Sequence, residues 1–481
     1  MDGTHDHGAS TMIDPSGLIS PAVVTALSQS PVWNLQRAWY EERATQAFAE
    51  VPHQVLDNPF VSAAYARVVL GYLRDRAGEL NPDEPLYIVE LGAGAGRFAH
   101  GFVRELQALV DALPFELPPF VYVMTDVAES TLADWAANPH LADAQIDFAH
   151  FDVGTTSAIE LRRRGLTLDS VENPLVVIAN YIFDSVPADA FAIEDERLEE
   201  CLLSAKGDVI DDMELTFERR PAQLPHYGDP DLDDLLEHYL EHLEEDSVVT
   251  IPRAALDCLR RLEALANGRM MLLTADKAYT TIEGLSGRSE PEISRHGSFS
   301  LMVNLHAFGV WAAGRGGEML DGGDRHATVA VAAILLGPGE HPETRLAYDE
   351  AIERFGPDDL MTFSEAIDAA AKTMSAAELV SVLRLTLWDS YTLLAFSDIL
   401  VEKIADADGA TREDIRDALS EVYERHYPVP GEGDLPFALG LILYELGDYA
   451  EALDCFEASL ERFGTDAATE YNIGLCRDQL T

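Results

Sequence analysis

"LYIVELGAGAGRFAHGF", residues 86–102, carries an apolar run into Glu90 and then into Gly92, Gly94 and Gly96, spaced two apart. A short apolar run that stops at glycines reads as a buried strand turning into a helix. Glycine there removes side-chain bulk and permits positive φ, so a ligand can lie against the bare backbone. Two common nucleotide loops do not fit. A dinucleotide fingerprint needs a glycine where bulky Arg97 stands, and a P-loop needs Gly-Lys-Ser/Thr, which does not follow. The pattern is E-x-G-x-G-x-G.

Outward from this turn, strands alternate with helices. "LYIVEL" is followed by a helix over Arg97–Leu113, strand "FVYVMTD", helix "STLADWAANP", strand "IDFAHFDV", helix "SAIELRRRG" and strand "PLVVIANYIFD". Such alternation indicates a parallel sheet covered on both faces. Beyond Val186, "RLEECLLSAKGDVIDDMELTFERR" reads as a short hairpin and "DPDLDDLLEHYLEHLEED" as an acidic amphipathic helix, together an insertion. The rhythm resumes with helix "RAALDCLRRLEAL", strand "RMMLLTADKA", segment "SFSLMVNLHAFGVWAAG" and strand "ATVAVAAILLG". These supply the candidates for a doubly wound, Rossmann-like sheet of seven strands, with the insertion before the fifth.

Upstream, "VWNLQRAWYEERATQAFAEV" and "NPFVSAAYARVVLGYLRDRAG" have helical periodicity, the second from an Asn58-Pro59 start. From about residue 340 only helices are expected. Leu439-Gly440, Gly447, Tyr449, Ala452 and Phe456 stand as in a tetratricopeptide repeat (TPR), and Ile473-Gly474 lies thirty-four residues after Leu439-Gly440. Ala418 lies one such period before Ala452. So short an array needs the preceding helices as partners.

The 481 residues allow two or three domains, and 47% hydrophobic with 25% charged residues describes an ordinary globular chain. The net charge of −52, with lysine only at 206, 277, 372 and 403, disfavours nucleic-acid partners, which need basic patches. An acid-rich surface suits a salty cytoplasm or attracts basic protein segments. "VAVAAILL", Val329–Leu336, is too short to span a bilayer, and "MDGTHDHGASTMIDPSG" has no apolar secretory core. Cys201, Cys258, Cys455 and Cys476 form no CxxC pair, so reduced thiols of a cytoplasmic protein are expected, with no metal site.

E-x-G-x-G-x-G after the first strand resembles motif I of class I S-adenosylmethionine (SAM) methyltransferases. The resemblance implies that Gly92, Ala93, Gly94 and Gly96 pass under the amino-acid part of SAM, with Glu90 supporting the loop or meeting the ammonium. Asp126, with Val127, stands where such enzymes hold the ribose hydroxyls, and Asp152, with Val153, where they meet the adenine. Capping a helix, which Asp does well, is the competing reading for each aspartate, and the order of the acids on successive strands favours the site. The fourth strand, "IANYIFDSVPADAF", is similar to the A-N-E-F-F-D-A-L-P of MidA-type methyltransferases at Asn180, Phe183, Asp184 and Pro187. That family includes the mitochondrial complex I assembly arginine methyltransferase. "HGSFSLMVNLHAF", with His296, Gly297 and His306, is similar to the family's late loop, and the resemblance covers residues 30–336.

One departure bears on the substrate. The family's glutamate after the asparagine is Tyr181, and tyrosine cannot replace a bidentate carboxylate for a guanidinium. The resemblance implies a SAM-dependent methyltransferase acting on a protein or peptide nitrogen. Asp184 is the candidate base, Asn180 aligns the nucleophile and contacts the cofactor, and Tyr181 walls the pocket. Asp184 is also suited to a structural cap, and His296 and His306 to bystanders. Lys277 has no role in this reading. The implied divisions are an N-terminal helical cap over 1–80, a methyltransferase domain over 81–338 with its insertion at about 195–250, and a helical TPR-like region over 339–481. Methylation of a small molecule, and a non-catalytic SAM-binding scaffold, are the competing readings.

Overall fold

Seven strands form the central sheet in the order Glu318–Asp321, Ala330–Leu336, Met270–Asp276, Leu175–Asn180, Leu86–Leu91, Phe120–Asp126 and Ile146–His150. Neighbours are parallel except at Ala330–Leu336, which runs against both of its partners. This computed structural model describes residues 23–51, 53–195, 197–207, 209–296, 298–323 and 329–481, so the amino-terminal stretch and Gly297 lie outside the described residues. Leu86–Leu91, Met270–Asp276 and Ala330–Leu336 are buried along their whole length, which is why they read as unbroken apolar runs rather than alternating ones. Val89, Val177 and Leu272 pack against the helices Arg253–Leu265 and Leu305–Gly314. On the other face Ile88, Tyr122 and Ile178 pack against Pro59–Asp75 and Arg97–Asp111. The expected doubly wound α/β sheet is therefore present. Its strand order reverses beside Leu86–Leu91, so the glycine loop opens into the crevice at the carboxyl edge.

Three local expectations are corrected, and the expected hairpin of the insertion is found within a larger sheet. "SAIELRRRG" is a hairpin, Ile159–Leu161 with Leu166–Leu168, and not a helix. Ile159 and Leu161 are buried around exposed Glu160, a two-residue period. The backbone N–H groups of Arg163 and Arg164 then satisfy the fully buried Asp147 at 2.8 and 3.1 Å. "SFSLMVNLHAFGVWAAG" does not supply the sixth strand. Ser298–Leu301 pairs with Ile293–His296 outside the sheet, and Asn304 then caps the helix Leu305–Gly314 by accepting from Ala307 N at 3.0 Å. The sheet edge is Glu318–Asp321, too short and too acidic to show a period.

The hairpin of the insertion, Arg197–Lys206 with Glu214–Pro221, belongs to a five-stranded sheet completed by Val23–Ala26, Asp189–Glu194 and Ser247–Ile251. Pairings between such distant segments leave no local pattern. Finally, the helix Val32–Arg43 stops at Ala44, whose φ is 48°, and a 3₁₀ turn over Ala44–Ala49 replaces its continuation.

From Pro342 to Leu480 the regular elements are helical. Leu435–Leu446, Tyr449–Phe463 and Ala467–Leu480 pack in succession, and a Cβ on Gly440 would lie 2.7 Å from the Phe456 ring, so glycine permits that approach. Among the described residues no helix is long and apolar enough to cross a membrane.

Candidate active site

The carboxyl edge of the sheet opens into a cavity of about 380 Å³, lined by Glu90, Gly92, Ala93, Gly94, Asp126, Val127, Asp152, Val153 and Asn180. Gly96 does not line it. This glycine starts the helix Arg97–Asp111 at φ 91°, and a Cβ there would lie 2.9 Å from the Tyr427 hydroxyl. Gly92 and Gly94 have φ of 64° and 58°, a region that costs any other residue strain. A Cβ would also meet Ile182 or Phe48, each at 2.8 Å. Behind the loop, Ala93 N donates to Thr125 O (2.9 Å), Trp135 Nε1 to Gly94 O (2.9 Å) and Tyr427 OH to Ala95 O (2.7 Å).

Each acid is in a different electrostatic state. Glu90 is buried, its Oε2 accepting from Tyr122 OH at 2.8 Å; burial pushes its carboxyl up to about 8, with the Tyr122 bond acting the other way. It meets no cation within 4.0 Å among the described residues. Asp126 accepts from Ala128 N at 2.8 Å, and burial pushes it up to about 6. Burial also acts to raise Asp152, but the Arg37 guanidinium and Gly154 N, each at 2.8 Å, outweigh it and hold the carboxyl below its ordinary value. Neither aspartate caps a helix: the N-cap of Glu129–Ala137 is Ala128, and Asp152 turns its own backbone.

The strand Leu175–Asn180 ends at the acceptor candidates. Asn180 Oδ1 accepts from Tyr65 OH at 2.9 Å while its Nδ2 is buried without a partner. Tyr181 has φ 51° and lines the cavity, but Asp184 does not. Asp184 sits on the 3₁₀ turn Phe183–Ser185 in a side pocket of about 50 Å³ with Tyr40, Tyr181, Lys277, Ser298 and Ser300. Tyr40, Val51, Tyr181 and Ser185 line both spaces, which are therefore neighbours. Asp184 caps no helix, and burial pushes its carboxyl up to about 7 against the pull of Lys277. His306 lines neither space; its Nδ1 lies 3.1 Å from the Tyr239 hydroxyl. His296 ends the strand Ile293–His296.

The sequence implied a helical cap over the site but did not single out the residues it contributes. Trp33, Gln36, Arg37 and Tyr40, one face of Val32–Arg43, line the cavity from above. Gln36 is buried with both amide atoms unpaired. Two long polar residues inside an aromatic stripe were the available signal. The cavity fits SAM on its own chemistry: bare backbone for close approach, a buried acid without a cation, and a carboxylate at the neighbouring strand end.

Residues 72–290 match a family described as "Putative S-adenosyl-L-methionine-dependent methyltransferase". The matched segment holds the glycine loop, Asp126, Asp152, Asn180 and Asp184. With this cavity, the match makes the chain a SAM-dependent methyltransferase. No curated protein matches it. Among solved structures, an uncharacterised superfamily protein from Burkholderia thailandensis is similar at 14% identity and TM-score 0.43, over 70% of this chain and 97% of that one. A member of the same superfamily from that organism, bound to S-adenosyl-homocysteine, is 15% identical at TM-score 0.44, over 67% of this chain and 90% of that one. The plantazolicin methyltransferase BpumL in complex with SAH follows at 9% and 0.32, over 64% and 95%. Likeness of that degree carries no argument about the acceptor.

Proposed function

We propose that this methyltransferase acts on a nitrogen of a protein or peptide. The observation that carries the reading is the placement of Asn180, Tyr181 and Asp184 together at the end of one strand, beside the glycine loop. When bound, SAM supplies a methyl already activated by its sulfonium. Glu90 faces the cofactor's ammonium, Asp126 accepts from the ribose hydroxyls, and Asp152 with Arg37 borders the adenine. The Asn180 side chain orients the acceptor, the Tyr181 ring walls the pocket, and Asp184 accepts the acceptor's proton. Holding the partners in line in a water-poor site supplies most of the acceleration, on the order of 7–11 kcal/mol where geometry is favourable.

In this reading the segment before Leu86 and the inserted sheet cover the site, while the TPR-like carboxyl-terminal helices recruit the partner. A chain of net charge −52 favours a basic one. A cytoplasmic location accords with these assignments. Tyr181 argues against an arginine held by a bidentate acid, so lysine, a terminal amine or an amide nitrogen fits better.

Labelled SAM presented with lysate proteins and, separately, with small metabolites tests the proposal. Label in the protein fraction is the expected outcome. Label confined to metabolites would make this a small-molecule enzyme. SAH that binds in calorimetry without any turnover would leave a scaffold.

A further inference from the structure

The turn that presents Asp184 is held by an acid that lies 92 residues further along the chain. Asp276 ends the strand Met270–Asp276 and is fully buried. Its Oδ2 accepts from the backbone N–H groups of Phe183 at 3.1 Å and Asp184 at 3.2 Å, and its Oδ1 from that of Lys277 at 3.0 Å. The Asp276 and Asp184 carboxyls are also hydrogen-bonded to one another. Two buried carboxyls in contact cannot both be ionised, so a hydrogen bond between them requires a shared proton.

Around the pair stand the Lys277 ammonium and the phenols of Tyr40, Tyr65 and Tyr181, from four separate stretches of the chain. The Lys277 ammonium makes no ion pair within 4.0 Å among the described residues. Burial raises both carboxyls, Asp276 the further of the two because Asp184 adds like charge. Such a pair titrates as a unit rather than as two independent acids. Of the two, Asp184 alone lines the side pocket.

We propose that Asp276 is the positioning residue of a proton-sharing carboxyl pair that fixes Asp184 in the side pocket, where Asp184 takes the proton of the methylated nitrogen. The inference rests on the reading of nitrogen methylation. The acceptor nitrogen bonds the methyl carbon with its electron pair, the pair of the broken carbon–sulfur bond stays on sulfur, and the N–H proton passes to an Asp184 oxygen. Asp276 touches neither reactant. It sets where Asp184 points and how readily Asp184 takes a proton. A side pocket of about 50 Å³ admits only a small head group, which selects an amine or amide end over anything bulkier.

The test needs no identified acceptor. Infrared spectra in D₂O of the full chain, with Asp184→Asn and Asp276→Asn variants, follow the protonated-carboxyl stretch with pH, and calorimetry with SAH accompanies each. The wild type is expected to hold one carboxyl proton between the two residues at neutrality. In Asp184→Asn, which removes the like charge that raises Asp276, the Asp276 signal should titrate at least one pH unit lower, with SAH affinity within twofold of wild type. Should Asp184→Asn fail to fold, Asp276→Asn must instead move the Asp184 titration upward, because the Asp276 hydrogen bond lowers it. Both acids ionised at neutrality in the wild type, or a titration unmoved by removing the partner, would overturn the proposal. Failure of the wild type to bind SAH would instead overturn the methyltransferase reading and leave the paired titration standing.

Discussion

The two sides of the glycine loop are built by opposite rules. Towards the cavity, Gly92 and Gly94 offer bare backbone, and Glu90 waits without a cation. Towards the rear, almost every group is engaged. Trp135 and Tyr427 donate to consecutive carbonyls. Arg97 reaches Asp389 at 2.8 Å and Ser390 at 3.1 Å and lies 4.4 Å from the Tyr391 ring centre. Ser390 in turn donates to Glu432 at 2.9 Å. Most of these rear partners come from the carboxyl-terminal helical region.

The largest effect should come from the rear. Arg97 and Asp389 are 6% and 9% exposed, and removing one partner of a buried pair leaves the other charge uncompensated, at roughly 3–5 kcal/mol. Arg97→Ala should therefore lower the unfolding free energy from urea titration by an amount near the bottom of that range, because Asp389 also accepts from Thr392 N at 2.9 Å. A loss below about 1 kcal/mol would place this contact among ordinary surface pairs and break the contrast.

On the open side, Gly94→Val puts a Cβ 2.8 Å from the Phe48 ring at a φ of 58°. SAH affinity should fall about a hundredfold, equivalent to about 2.7 kcal/mol, in calorimetry. Wild-type affinity in this variant would mean that the ligand does not pass over Gly94.

Glu90 sharpens the same side through pH. Its carboxyl, pushed up to about 8, is mostly neutral at pH 7, yet an ammonium favours the ionised form. Cofactor binding should release close to one proton at pH 7, and affinity should rise about fivefold between pH 7 and 8, flattening in Glu90→Gln. Stability without ligand moves the other way. A carboxyl raised on folding contributes stability that is complete below its unfolded value of 4.5 and is lost as pH rises through about 8. An affinity independent of pH across this window would remove Glu90 from the ammonium.

The open side was largely legible in the sequence and the rear was not. Parallel strands buried on both faces show as apolar runs, and the polar residue closing each run marks the carboxyl edge; the family resemblance supplies the roles of Glu90, Asp126 and Asn180 there. Asp276 ended such a run too, but its meaning depends on Asp184, far off in the chain. Arg97 was read only as an obstacle to a dinucleotide loop; its partner lies 292 residues away. The "SAIELRRRG" hairpin reads as a helix because its three arginines look like a helix surface until Asp147 is seen to need the backbone N–H groups of Arg163 and Arg164. Long-range pairing, not propensity, decided each of these.

The smallest change is the most discriminating. Tyr427→Phe removes one hydroxyl, which donates to Ala95 O at 2.7 Å and accepts from Asn138 Nδ2 at 2.7 Å. Losing it leaves a buried carbonyl and an amide each short of a partner, at about 1–2 kcal/mol in all. If the helices beyond residue 340 merely stick to the loop, this loss appears in the melting temperature and SAH affinity does not change. If they set the shape of the Ala93–Gly96 turn, SAH affinity should also fall, by about fivefold. Coupling of that kind is reciprocal. SAH should then slow hydrogen exchange around Tyr423–Val429, a segment absent from the cavity lining, and should cease to do so in Tyr427→Phe. Slowed exchange at the cavity alone would confine the ligand's influence to the open face and leave the carboxyl-terminal helices as passive support.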